Sequence, residues 1–281
     1  MFNQGAQTAS VLVTGCSSGV GRATALALAR AGLPTWASAR RIEALSDLEA
    51  AGCHIVALDV TDEQSRINAV KTMEKATGAV GALVNNAAYE QAGPIEEISL
   101  DMLRKQFETN VFGLVRLSQL VLPGMRERGH GTIVNMGSAA GLMSFPGSGA
   151  YAMTKWAIEA LSDALRMEVK GFGIRVVLLE PGGISSTNYT TTADATWPAV
   201  DGPYVSFRQN AQRIRAQWYR PGAPGMSTPA DVANVVVKAI TSKRPRARYK
   251  IGILPRVIPW LYRTLPNRAW DAIWARQLPI N

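Results

Sequence analysis

Short apolar runs alternate with longer segments of helical period along most of the chain. The runs at 10–14, 35–39, 54–58, 82–85, 132–136 and 174–179 lack regular polar alternation, which predicts strands buried on both faces. Between them, 23–31, 42–51, 62–77, 100–128 and 150–170 carry helix formers at helical spacing, with Pro123 expected to interrupt the fourth near its end. Gly32, Gly52, Gly78, Gly129 and Gly171 stand at or near the helix ends as stop signals. This alternation predicts an α/β fold: a doubly wound, Rossmann-like parallel sheet with helices on both faces, in one domain spanning 1–281.

The pattern fails at 182–227, which is rich in Thr, Pro, Gly and aromatics and holds one helix at about 204–218. A long insertion past the carboxyl end of a strand in such a sheet lies where ligands bind, so it is read as a substrate loop. Thr228 as cap and Pro229 at the first helical position open a helix to 240. A last strand is expected at 249–254, then one or two short amphipathic helices around Pro259 and Pro266.

With 281 residues, 47% of them hydrophobic and 18% charged, the chain can bury a large core. No long apolar run predicts a membrane span, and Met1 to Ser10 lacks the basic start of a secretory signal, so the expectation is a soluble, cytoplasmic protein. Cys16 and Cys53 are too few for a disulfide framework, and His54 and His130 have no neighbouring ligands for zinc. The net charge of +9 is concentrated: beyond residue 240, nine cations face the single anion Asp271. That basic amphipathic extension, 243–281, also holds Trp260, Trp270 and Trp274. It can lie on an anionic membrane surface or pack its apolar side on the substrate loop or a second subunit, and the second reading is preferred. Nucleic acid is not an expected partner, because no recognition motif accompanies the charge.

Two motifs carry chemistry. Thr14, Gly15, Ser17, Ser18, Gly19, Val20 and Gly21 lie between a strand and a helix; glycines there let backbone approach a pyrophosphate, and the helix offers free N–H groups. Tyr151 and Lys155 are four apart on a predicted helix and share a face. A lysine cation near the phenol is expected to lower its pKa and suit it to proton transfer.

Together the two motifs resemble the short-chain dehydrogenase/reductase family, whose glycine pattern is Thr-Gly-x-x-x-Gly-x-Gly. Further positions match in order. Asp59 and Val60 resemble the pair that meets adenine; Asn85, Asn86, Ala87 and Ala88 resemble the motif closing the fourth strand, with Ala88 in place of a glycine. The resemblance implies a proton relay of Asn110, Ser138, Tyr151 and Lys155, with Asn110 holding a water and Lys155 binding the nicotinamide ribose. It also implies cofactor contacts from Pro181, Gly182 and Ile184, and from Ser186 or the adjacent Thr187.

At the end of the second strand, Ser38, Ala39, Arg40 and Arg41 replace the carboxylate that would pair with the ribose of NAD. A guanidinium there can fork onto a 2′-phosphate, so NADP is the expected cofactor and NAD the alternative. Trp197, Tyr204, Phe207, Trp218 and Tyr219 in the loop, with Leu142, Met143 and Phe145, suit a lipophilic alcohol or carbonyl substrate. The loop and tail look most like hydroxysteroid and retinol dehydrogenases. The resemblance also implies a homodimer or homotetramer. A non-catalytic dinucleotide-binding regulator of the same fold is the rival class, since fold alone does not fix function.

Overall fold

The computed structural model describes residues 10–199, 201–220 and 222–278; the leader reading of Met1 to Ser10 therefore falls almost wholly outside the described residues. Seven strands form one sheet, all parallel, in the order β3-β2-β1-β4-β5-β6-β7. They are β1 (Val11–Val13), β2 (Thr35–Ala39), β3 (His54–Ala57), β4 (Ala82–Asn85), β5 (Gly131–Met136), β6 (Ile174–Pro181) and β7 (Arg248–Ile251). The order reverses between β1 and β4, the crevice where sheets of this kind bind ligands.

Alternation along each strand divides the core into two layers. Val11 and Val13 of β1 face α1 (Gly19–Arg30) and α9 (Pro229–Thr241), packing with Ala25, Leu28, Val232 and Val236. Leu12, Leu83 and Ile133 point the other way, onto α3 (Glu63–Thr77), α5 (Gly113–Glu127) and α6 (Gly149–Glu168), through Met73, Leu117, Met125 and Leu165. Each such apolar side chain contributes roughly 1.5–3 kcal/mol by leaving water. The Thr228–Asp231 capping box fixes the start of α9, with Asp231 N donating to Thr228 Oγ1 at 3.2 Å and Thr228 N to Asp231 Oδ2 at 2.8 Å.

Several expectations change. The predicted helix over 100–128 is two helices, α4 (Leu100–Phe107) and α5, joined by a π-helical turn at Glu108–Phe112. The break is at Asn110 rather than Pro123, which sits inside α5. Asn110 Nδ2 donates to the Tyr89 carbonyl at 2.9 Å and to Thr154 Oγ1 at 3.1 Å, and its Oδ1 accepts from Tyr89 N at 3.0 Å. The widened turn seats it between the loop after β4 and α6. The edge strand β3 is half exposed rather than covered on both faces. β7 ends at Ile251, because Gly252 turns the chain at φ 87° and Leu254 already opens α10 (Leu254–Thr264). Before α9, the irregular stretch holds α7 (Tyr189–Asp194) as well as the expected α8 (Val205–Trp218).

The tail closes the molecule with α10 and α11 (Asn267–Gln277). Trp274 and Leu278 are buried with Trp197 and Phe207, so the apolar side of the tail packs on the substrate loop. Ile253, Val257 and Trp260 remain exposed. No helix among the described residues is long and apolar enough to cross a membrane. Arg248, one of the basic residues counted with the tail, is not a free surface cation: it donates to Glu180 Oε1 and Asp163 Oδ2, each at 2.6 Å, and to Glu159.

Candidate active site

The carboxyl ends of β1 and β4 are tied together by one side chain. Thr14 Oγ1 donates to the Val84 carbonyl at 3.3 Å and accepts from Asn86 N and Ala87 N, both at 2.9 Å. Asn86 Nδ2 returns a bond to the Thr14 carbonyl at 2.8 Å. This strut presses the glycine turn against the loop after β4. A Cβ at Gly21 would lie 2.5 Å from Asn86 Nδ2, and one at Gly15, where φ is +73°, would lie 2.9 Å from Ala87 Cα. Only glycine fits either place. Ser18, at the head of α1, makes no side-chain cap, which leaves the first-turn N–H groups to meet an anion.

A cavity of about 730 Å³ opens over this floor. Of the residues expected to hold a dinucleotide, Gly15, Ser17, Ser18, Gly19, Val20, Gly21, Arg40, Asp59, Val60, Asn86, Ala87, Ala88, Pro181, Gly182 and Ile184 line it, together with Ser138, Tyr151 and Lys155. The glycine floor, the uncapped helix and Arg40 fit a dinucleotide phosphate group.

Five expected residues stand off the cavity wall. Thr14 is spent on its strut. Ser38 is fully buried and donates to the Val13 carbonyl at 2.9 Å, so its hydroxyl faces the sheet. Arg41 lies beyond the rim, and Asn110 is enclosed by Tyr89 and Thr154. Ser186 adopts φ 59° and turns outward, which leaves Thr187 as the member of that pair on the wall.

Lys155 is 2% exposed; its Nζ donates to the Met136 carbonyl at 2.7 Å and lies 5.4 Å from the centre of the Tyr151 ring. Burial lowers its pKa to about 8, with the Glu159 charge acting the other way. Tyr151 departs from expectation. Its pKa is raised, chiefly by burial and further by Glu90, while a hydrogen bond with Ser138 pulls it down. The lysine Nζ is held over the ring by the Met136 carbonyl. Ser138 Oγ also accepts from Ala140 N at 3.1 Å, which fixes the hydroxyl where the loop leaves β5.

A second cavity, of about 820 Å³, meets the first at Ser138, Tyr151, Gly182, Tyr189 and Tyr219. Its walls are apolar: Met143 and Phe145 after β5, Ile214 and Trp218 of α8, Leu254, Ile258 and Leu261 of α10, and Trp270 and Trp274 of α11. Sequence reasoning located several of these aromatics, but it missed Glu90, Tyr189 and Arg215 at the junction. Glu90 Oε1 accepts from Ser148 Oγ at 2.6 Å and from Arg215 Nη2 at 3.1 Å. Partners as distant in sequence as these leave no local signal. Glu159, by contrast, stands four residues after Lys155 on α6, a spacing that marks neighbours on one helix face.

Residues 9–197 match the short chain dehydrogenase family. The chain belongs to that family. It is 35% identical over 276 residues to the uncharacterized oxidoreductase YusZ of Bacillus subtilis, covering 95% of this chain and 97% of that one. It is 31% identical over 276 residues to the NADPH-dependent 3-dehydrocapnine reductase of Ornithobacterium rhinotracheale (95% and 96% covered). To retinol dehydrogenase 8 of Bos taurus it is 32% identical over 255 residues (85% and 80% covered). Among solved structures, a short-chain dehydrogenase from Streptomyces avermitilis superposes with a TM-score of 0.79 at 34% identity, covering 96% and 97% of the two chains. The closed form of serine dehydrogenase complexed with NADP+ superposes at 0.76 and 27% identity, covering 87% and 95%. This short-chain dehydrogenase is thus an NAD(P)-dependent oxidoreductase.

Proposed function

We propose that the protein uses NADP(H) to interconvert a ketone and a secondary alcohol on a lipophilic small molecule. The observation that carries this reading is the meeting of a polar, glycine-floored cleft with an apolar chamber at Ser138 and Tyr151. A carbonyl at that junction has both hydroxyls beside it, and its apolar remainder runs along α10 and α11. A bound nicotinamide supplies the hydride.

Each residue then has a physical task. The turn from Ser17 to Gly21 would hold the pyrophosphate, Asp59 and Val60 the adenine, and Arg40 a 2′-phosphate. Ile184, Thr187 and Lys155 would hold the nicotinamide half. Ser138 donates a hydrogen bond to the substrate oxygen, and Tyr151 delivers the proton, assistance of about 10²- to 10⁴-fold. Tyr151 acts as general acid in reduction and as general base in oxidation. Asn110 ties the loop after β4 to α6 one residue before Lys155, and so positions the lysine. Exposed Phe112, Met153 and Trp156 on the π turn and α6 support pairing with a second copy.

The reading agrees with the names of two relatives, an NADPH-dependent reductase and a retinol dehydrogenase. Its test is NADPH consumption over aliphatic ketones of rising chain length, with steroid and retinoid carbonyls alongside. Turnover should rise with chain length and should favour NADPH over NADH at least tenfold. Equal Michaelis constants for the two cofactors, or faster turnover of short polar ketones, would sink it.

A further inference from the structure

The two helices of the tail differ in how their apolar sides are covered. α11 buries Trp274 against Trp197 and Phe207. α10 is apolar on two adjoining faces. Its inner face, Leu254, Ile258 and Leu261, lines the apolar chamber. Its outer face carries Ile253, Val257 and Trp260, at the i, i+4, i+7 spacing of one helical stripe. All three are exposed, Trp260 by 65%. Val257 stands three residues after Leu254 and four before Leu261, so the outer stripe adjoins the chamber wall. The chamber also reaches the surface here, since Trp218 and Ile273 line it and are exposed.

The charge around this stripe has one sign. Of the nine cations beyond residue 240, Arg248 is held by carboxylates; the other eight are exposed and form no ion pair among the described residues. Arg256 and Arg263 flank Trp260, four residues before it and three after. A second copy of the chain is a poor occupant, because symmetric pairing would set these arginines against their own counterparts. Nucleic acid offers phosphate to the arginines but no apolar medium to Ile253 and Val257. An anionic lipid bilayer offers both, phosphate headgroups for the cations and acyl chains just beneath them. Tryptophan is suited to the level where the two meet.

We infer that α10 docks the protein on an anionic membrane surface, with Ile253, Val257 and Trp260 at the acyl boundary and Arg256 and Arg263 among the headgroups. α11 keeps its packing on the substrate loop, so the tail is divided between the fold and the membrane. One helix, apolar toward both, then separates the chamber from the bilayer, and a lipophilic ligand can pass between them without crossing water. Docking needs neither substrate nor turnover, so it stands or falls apart from the reductase reading.

Co-sedimentation of the full chain with vesicles tests this, using phosphatidylcholine alone and phosphatidylcholine mixed equally with phosphatidylglycerol. The protein should partition onto the mixed vesicles in clear preference to the neutral ones. Arg256→Gln combined with Arg263→Gln should weaken that partition on the order of 30-fold, the strength of two cations near an anionic surface. Val257→Ser combined with Trp260→Ser should weaken it by at least about tenfold, and the loss should persist in high salt, because it is apolar. All four side chains are exposed and off the chamber wall, so the NADPH dissociation constant of both variants should stay within about twofold of wild type. No sedimentation with the mixed vesicles, or partition that neither pair of substitutions changes, overturns the inference. So does tighter binding to a DNA duplex than to the mixed vesicles, or a dimer that Val257→Ser with Trp260→Ser dissolves while vesicle binding is absent.

Discussion

In the nucleotide cleft the walls are largely backbone: the turn after β1, the uncapped head of α1, and the loop after β4 held by Thr14 and Asn86. In the apolar chamber the walls are side chains, brought by α8, α10, α11 and the loop after β5. The two differ in what they tolerate. At Gly21 the cleft has no room for a methyl group, whereas the chamber takes its shape from side chains, which can be exchanged on an unchanged backbone. One chain therefore carries a site half fixed by its fold and half open to specialisation.

Substitutions confined to one side would sharpen or break this contrast. The largest effect is expected from Gly21→Ala, whose Cβ meets Asn86 and the Gly15 carbonyl. Overpacking of this kind costs about 1–3 kcal/mol, and fluorescence titration should show NADPH affinity down by more than about tenfold. Wild-type affinity would mean that the cradle yields. If Arg40 holds the 2′-phosphate as proposed, Arg40→Ala removes a charge-assisted contact of roughly 1.5–3 kcal/mol. The Michaelis constant for NADPH should rise about tenfold or more while that for NADH stays within about twofold; parallel changes would contradict the assigned role. On the chamber side, Trp274→Ala opens a hole between α11 and the substrate loop. Lipophilic ketones should bind about five- to tenfold more weakly, at the scale of 1–3 kcal/mol for a small loss of apolar fit, with cofactor affinity unchanged. Loss on both sides would show that the halves are coupled.

The smallest effect is a pH dependence of stability. Burial holds Lys155 at about 8 against an ordinary 10.5, so between those values the unfolded chain binds a proton that the folded one does not. Stability therefore rises with pH through that window. The buried Cys16 thiol, raised from 9.0 to about 12, acts oppositely above pH 9, and Glu159, held up to about 7, has largely titrated below the window. Urea midpoints from pH 7.5 to 9 should rise by the equivalent of about 1 kcal/mol, the scale of one pKa unit. Lys155→Met should flatten the trend, and a flat wild-type profile would argue against the buried ammonium.

The same contrast explains what the sequence disclosed. Local rules write the cleft: apolar runs give strands, glycines punctuate turns, and residues four apart on a helix share a face, so the sheet, the glycine turn and the Tyr151–Lys155 pair were all legible. The chamber depends on contacts that no local rule encodes. Glu90 and Arg215 meet across 125 positions, and Arg248 is drawn out of a basic run by carboxylates on α6 and β6. The π turn at Asn110 was hidden because its cause, three hydrogen bonds to Tyr89 and Thr154, is tertiary. The direction of the Tyr151 shift was hidden because spacing shows that a lysine is near but not how deeply the phenol is buried or that Glu90 lies close to it.

In the proposed reaction, proton delivery belongs to Tyr151 at the junction, while cofactor binding belongs to the cleft. Tyr151→Phe removes only the hydroxyl, and it should be measured for NADPH dissociation constant and ketone turnover side by side. The dissociation constant should stay within about twofold of wild type, and turnover should fall by at least the 10²- to 10⁴-fold typical of general acid assistance. Turnover at the wild-type rate would contradict the proposed role of Tyr151.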